Sequence, residues 1–162
     1  MGQPIDKIMV FIDGTEQSVT AAQYAICLAS ATGAELIALY VVNMRAMEDL
    51  LKARIFLSDE EAEYEHDLEA DARRYLNYVG ELATKKGVNV VKKHSKGSVH
   101  KEIVDAIEAD GIDLLVIGEL SRIRSRRDEF YDESERAMRA APCSVLIVKD
   151  DDRVFELYDA LA

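Results

Sequence analysis

The sequence predicts an open, doubly wound α/β fold on a five-stranded parallel sheet with helices on both faces, and three observations carry that prediction. Short apolar runs recur along the chain, segments of helical periodicity separate them, and most runs lack the polar alternation of a strand with one wet face. Strands covered on both faces and joined through helices make such a sheet.

The elements follow in order. The strands are "KIMVFID" (Lys7 to Asp13), "ELIALYVV" (Glu35 to Val42), "VNVVK" (Val88 to Lys92), "DLLVIG" (Asp113 to Gly118) and "SVLIV" (Ser144 to Val148). Between the first two, Val19, Ala22, Ala25, Ile26 and Ala29 form a helical stripe. Met47, Leu50, Leu51, Phe56 and Leu57 suggest a short amphipathic piece in residues 44–57, either a lid or a longer connection. Ser58 and Glu61 form a capping box for a long second helix with a stripe of Leu68, Ala72, Tyr75, Leu76, Val79 and Ala83, which Gly87 would end. Val99, Ile103 and Ile107 mark a third helix, and "ESERAMRAA" a short one before the last strand. In residues 150–162, acids precede Val154, Leu157, Tyr158 and Leu161 at helical spacing, which predicts a short tail helix that needs an apolar surface to hold it. The division is one domain over residues 1–149 and a docking tail over 150–162, with a seat expected near the edge of the fifth strand in the same or a partner subunit.

A chain of 162 residues, 49% hydrophobic and 31% charged, buries a core sufficient for one domain. Its net charge of −11 opposes binding to a nucleic-acid backbone. Cys27 and Cys143 lie far apart without a C-x-x-C spacing, as expected in a reducing cytoplasm; Cys27 is read as a packing residue, and Cys143, after Pro142 beside the fifth strand, as a residue close to a dimer seam without a redox role. The longest apolar run, "LIALYVV", is far too short for a bilayer, so no membrane role is expected. The nucleophile and phosphate motifs of enzymes are absent, and no metal-ligand spacing is found. His66, His94 and His100 have no evident acidic partner and read as surface residues.

Three separated blocks carry a family resemblance: "VFIDGTEQS" (Val10 to Ser18), "KGSVHKEIVDAIEADGIDLLVIG" (Lys96 to Gly118) and "SERAMRAAPCSVLIVK" (Ser134 to Lys149). Together they resemble the universal stress protein family, in the family's order and each on its expected element. The resemblance implies strand order 3-2-1-4-5, a homodimer, and ATP or AMP as ligand, with catalysis rarely assigned. In that order the topological switch point lies between the first and fourth strands, which end at Asp13 and Gly118. The resemblance further implies that Asp13 contacts the nucleoside and Val41 lines the adenine pocket. "DGT" after a strand is also a turn and helix start, so Asp13 and Thr15 have a structural role in any case.

The family's phosphate loop reads G-x-x-G, nine residues, then G-[S/T]. Here Gly118 keeps the first glycine, while Ser121, Tyr131 and Asp132 replace the second glycine, the third glycine and the hydroxyl residue. Ser121 adds a Cβ and Tyr131 much more bulk, and Asp132 would cap the helix start itself and place a carboxylate where a phosphate would sit. Arg122, Arg124, Arg126 and Arg127 can supply phosphate contacts instead, against the opposing charges of Asp128, Glu129, Asp132 and Glu133. The simpler account is a loop that pairs with itself. At "KGSV", Ser98 reads as a plain helix cap in preference to an anion site.

The expectation is therefore a cytoplasmic, non-catalytic regulatory or protein-interaction module with weak or lost ATP binding, a homodimer through the fifth strand, and an unidentified protein partner. The alternative is an AMP or ATP sensor using Asp13, Thr15, Val41, Gly118, Ser121 and Arg124.

Overall fold

The computed structural model describes residues 2–44, 58–119 and 133–162. Five parallel strands stand in the order β3-β2-β1-β4-β5. They are β1 (Lys7–Ile12), β2 (Glu35–Asn43), β3 (Val90–Gly97), β4 (Leu114–Gly118) and β5 (Ser144–Val148). The described helices are α1 (Glu16–Thr32), α2 (Ser58–Thr84), α3 (Val99–Asp110), α4 (Glu133–Ala140) and α5 (Asp151–Ala160).

Alternate residues of the strands supply two cores. Ile8, Val10, Ile12, Leu36 and Ala38 pack with α1, α2 and α5, whereas Met9, Phe11, Ile37, Leu39 and Val41 pack with α3 and Ala137 of α4. The central strands β1 and β4 are buried on both faces, hence their unbroken apolar runs. The α1 stripe buries Ala21, Ala22, Ala25, Ile26 and Ala29, small residues that let the helix lie close to the sheet. The α3 stripe of Val99, Ile103 and Ile107 is buried as the spacing predicts.

Two elements, β3 and α2, differ from expectation by more than one residue. β3 spans Val90–Gly97 instead of Val88 to Lys92, pairing eight residues with β2 from Leu36↔Val90 to Asn43↔Gly97. It is an edge strand with Val91 exposed, so the polar residues of "KKHSK" are compatible with pairing and conceal the strand. α2 ends at Thr84, three residues before Gly87, in a turn closed by the Gly87 N–H to the Thr84 carbonyl at 3.1 Å. The Met47 to Leu57 piece lies outside the described residues, as do the side chains of the Ser58–Glu61 capping box.

The tail forms α5 and seats on its own chain. Val154 and Tyr158 are buried in the core that α1 contributes to. Asp150 caps the helix, accepting from the Arg153 N–H at 3.2 Å. The Tyr158 hydroxyl donates to the Leu82 carbonyl at 2.6 Å, in the last turn of α2. The next donor along, the Lys86 N–H, goes to Ala83 instead, so this phenol satisfies a carbonyl that the helix end leaves over. Lys86 Nζ in turn donates to the Leu161 carbonyl at 3.1 Å and lies 4.9 Å from the Tyr158 ring centre, a cation at the end of α5 where the helix dipole favours one.

Candidate functional site

Parallel strands alternating with helices bring the carboxyl ends of the strands and the amino ends of the following helices to one rim. The β1–β4 register, Val10↔Val116, continued by two residues, sets Ile12 beside Gly118, and β2 sets Tyr40 beside Ile12. Asp13, Val41 and Gly118 therefore share the rim at the switch point, where the strand order reverses. Val41 is buried in the α3-side core, while Asp13 is exposed.

The Asp13–Thr15 turn is tightly bonded. Asp13 Oδ1 accepts from the Thr15 N–H at 3.0 Å and from its hydroxyl at 2.6 Å. Thr15 Oγ1 accepts from the Ser18 N–H at 3.2 Å and caps α1. The structural role of Asp13 and Thr15 is thus present, and it engages Oδ1 of Asp13 and the hydroxyl of Thr15. Gly118 is fixed by proximity: a Cβ there would lie 2.6 Å from backbone atoms of Gln17, so only glycine allows the first turn of α1 against β4. Ser121 and Arg124, with the rest of the arginine-rich loop, lie outside the described residues.

At the amino end of α3 the structure departs from the sequence reading. Ser98 occupies the cap position, but its side chain makes no capping bond. Glu133, the first residue of α4, does so from across the rim: its Oε2 accepts from the His100 N–H at 3.2 Å and lies 3.0 Å from His100 Nδ1. His100 therefore has a fixed acidic partner, contrary to expectation, on a different element 33 residues along the chain where no local spacing reveals it. Ser98 Oγ is 3.3 Å from that same Nδ1. Serine and carboxylate both address one ring nitrogen, so the three do not form a nucleophile relay, which needs the two nitrogens used separately.

Sequence reasoning also missed an aromatic pair on the other face of the sheet. Tyr40 of β2 and Tyr75 of α2 lie with ring centres 6.2 Å apart and planes within 6°. Burial, then the carboxylates of Asp71 and Asp13, push the Tyr40 phenol above its ordinary value and keep it protonated at neutral pH. Tyr75 is visible in the sequence only as one member of the α2 stripe. Nearby, Lys96 at the end of β3 ties down α2, with Nζ 2.7 Å from Glu65 Oε1 and in contact with the Glu69 carboxylate.

Other features lie apart from this rim. An open groove lined by Asn77, Gly80, Thr84, Asn89 and Lys92 sits at the opposite end of the sheet, between α2 and β3. Burial raises the Cys27 and Cys143 thiols above their ordinary value, which keeps both protonated and poorly nucleophilic. Among the described residues no helix is long and apolar enough to cross a membrane.

Comparison with known proteins supplies the family. Residues 4–149 match the model of the universal stress protein family. A universal stress protein of Methanocaldococcus jannaschii is 31% identical over 143 residues, which cover 88% of this chain and 81% of the relative. Among solved structures, a universal stress protein family member from Burkholderia pseudomallei superposes with a TM-score of 0.71 at 23% identity, covering 93% of this chain and 100% of the other. A universal stress protein family protein from Arabidopsis thaliana with AMP bound superposes with a TM-score of 0.63 at 16% identity, covering 91% and 94% of the two chains. The three sequence blocks, the strand order 3-2-1-4-5 and the match over residues 4–149 agree, and the chain belongs to the universal stress protein family.

Proposed function

We propose that this protein is a non-catalytic regulatory module that keeps Asp13, Val41 and Gly118 together at the rim of the switch point but binds ATP weakly or not at all. The supporting observation is Glu133. Its carboxylate stands at the amino ends of α3 and α4, the positions where free N–H groups would otherwise favour an anionic phosphate. Ser121, Tyr131 and Asp132 in the altered loop act in the same direction. Output then runs through protein contacts, with a homodimer paired along Val145 to Val148, the partly exposed outer strand of the sheet.

A second reading, an adenine-nucleotide sensor, is favoured by one observation: the Arabidopsis relative of the same fold holds AMP. Calorimetry with adenosine, AMP and ATP separates the two. The regulatory reading expects weak adenosine binding with little gain per added phosphate; submicromolar ATP binding overturns it. The combined change Ser121→Gly, Tyr131→Gly and Asp132→Ser restores the family loop and should raise ATP affinity. A folded triple variant with no gain refutes the loop account, and loss of phosphate-dependent binding on changing Arg124, Arg126 and Arg127 to Gln favours the sensor.

A further inference from the structure

The Asp13–Gly14–Thr15 turn is held from outside by a side chain that no sequence motif marks. Gly14 has φ +83°, and a Cβ built on it would lie 3.0 Å from Cε2 and 3.2 Å from Cζ of Tyr75. The flat edge of that phenol fills the space a side chain would need, so turn and ring fit because one partner is glycine. Tyr40 backs the ring with a near-parallel face, and Tyr40 both precedes Val41 and pairs in register with Ile12. The Arg74 guanidinium also lies over the Tyr75 ring, 5.2 Å from its centre, and is itself paired with Asp71 at 2.9 Å. The ring is thus held by two neighbours, Tyr40 and Arg74, where it meets Gly14.

We infer that Tyr75 is a positioning residue for the rim: by seating on Gly14 it fixes the Asp13 carboxylate and joins α2 mechanically to the ligand edge of the sheet. The internal bonds of the turn fix Asp13 Oδ1 relative to Thr15, but Gly14 retains access to both signs of φ, and the Tyr75 ring removes that freedom. The contacting atoms are ring carbons, so the hydroxyl is not required and phenylalanine should serve equally.

The affinity half of this inference rests on the nucleoside reading above; the dynamic half does not. The experiment uses the full chain as wild type, Tyr75→Phe and Tyr75→Ala, with backbone 15N relaxation and an adenosine titration on each. In wild type and Tyr75→Phe, Gly14 and Thr15 should be rigid, with order parameters of about 0.85, and in Tyr75→Ala they should fall below about 0.6 while the β1 and β4 amides stay rigid. Adenosine affinity should drop at least about fivefold in Tyr75→Ala and be unchanged in Tyr75→Phe. A turn that stays rigid without the ring, or a loosening spread evenly over the sheet, overturns the inference. If the wild type binds no adenosine, the nucleoside reading falls and relaxation alone decides the role of Tyr75. If Tyr75→Ala does not fold, Tyr75→Leu keeps apolar bulk without the flat edge, and the same selective loosening is required of it.

Discussion

Replacing Glu133 by Ala tests whether one carboxylate ties two helix ends together. It removes a charged acceptor from the His100 N–H at 3.2 Å and from His100 Nδ1 at 3.0 Å. Hydrogen bonds to charged groups contribute about 1.5–3 kcal/mol, but these are long for charge-assisted bonds, and His100 is about a third exposed. The freed N–H at a helix start can also turn to water. The expected loss is about 1.5 kcal/mol, and at roughly 2–4 °C per kcal/mol for a chain of this size Tm falls by about 3–6 °C. Glu133→Gln keeps an acceptor and should lose about half as much. Thermal and urea melts at pH 7 measure both, and AMP titrations of the same variants read the second consequence, a gain of AMP over adenosine once the resident anion is gone. A loss below about 0.5 kcal/mol for Glu133→Ala would show that the bridge is incidental. Unchanged AMP preference in a folded Glu133→Ala would remove Glu133 from the explanation of weak phosphate binding.

Three further outcomes are expected. Tyr158→Phe deletes the only protein donor found for the Leu82 carbonyl among the described residues and should cost about 1–2 kcal/mol in urea melts; no measurable change would mean that water replaces it freely. Its hydrogen bond with Lys96 holds the Glu69 carboxyl below its ordinary value, so that contribution is present at neutral pH and lost as pH falls through the carboxylate range. The bonds that Lys96 donates to Glu65 and Glu69 raise its own pKa, so its contribution fails only above its ordinary value of 10.5. Lys96→Met should therefore flatten the acid side of the stability profile at low salt, and an unaltered acid side refutes the linkage. By sedimentation the full chain should be a dimer and the chain ending at Lys149 a weaker one; a monomeric full chain removes the β5 pairing, and equal dimer affinity removes any contribution of α5 to it.

What the sequence disclosed and what it withheld divide along physical lines. The strands β1, β2 and β4 were legible because burial leaves a continuous apolar run, the outer strand β5 because its run is apolar although only half-buried, and α1 and α3 because a buried stripe repeats every three or four residues. The extent of β3 was not, since an edge strand satisfies its backbone whatever its side chains are, and three lysines on it suggest a loop. At the rim, Asp13, Val41 and Gly118 could be placed because each ends a legible strand or stands close to its end. The Glu133–His100 bridge and the Tyr75–Gly14 contact join residues far apart in the chain, and both depend on how helices are set against the sheet. Ser98 shows the limit of local rules: the cap position was right and the capping group was wrong.

The bond from Tyr158 to Leu82 also sets a timetable. Its two residues are 76 positions apart, so at about 5–20 residues per second a ribosome completes α2 roughly 4–15 s before it makes the group that satisfies the Leu82 carbonyl in that helix's last turn. Through that interval the part of α1 against which Val154 and Tyr158 pack is bare, and the nascent chain presents that apolar surface beside an unfinished helix end. A newborn molecule is therefore open to chaperones on a surface that the finished one never shows.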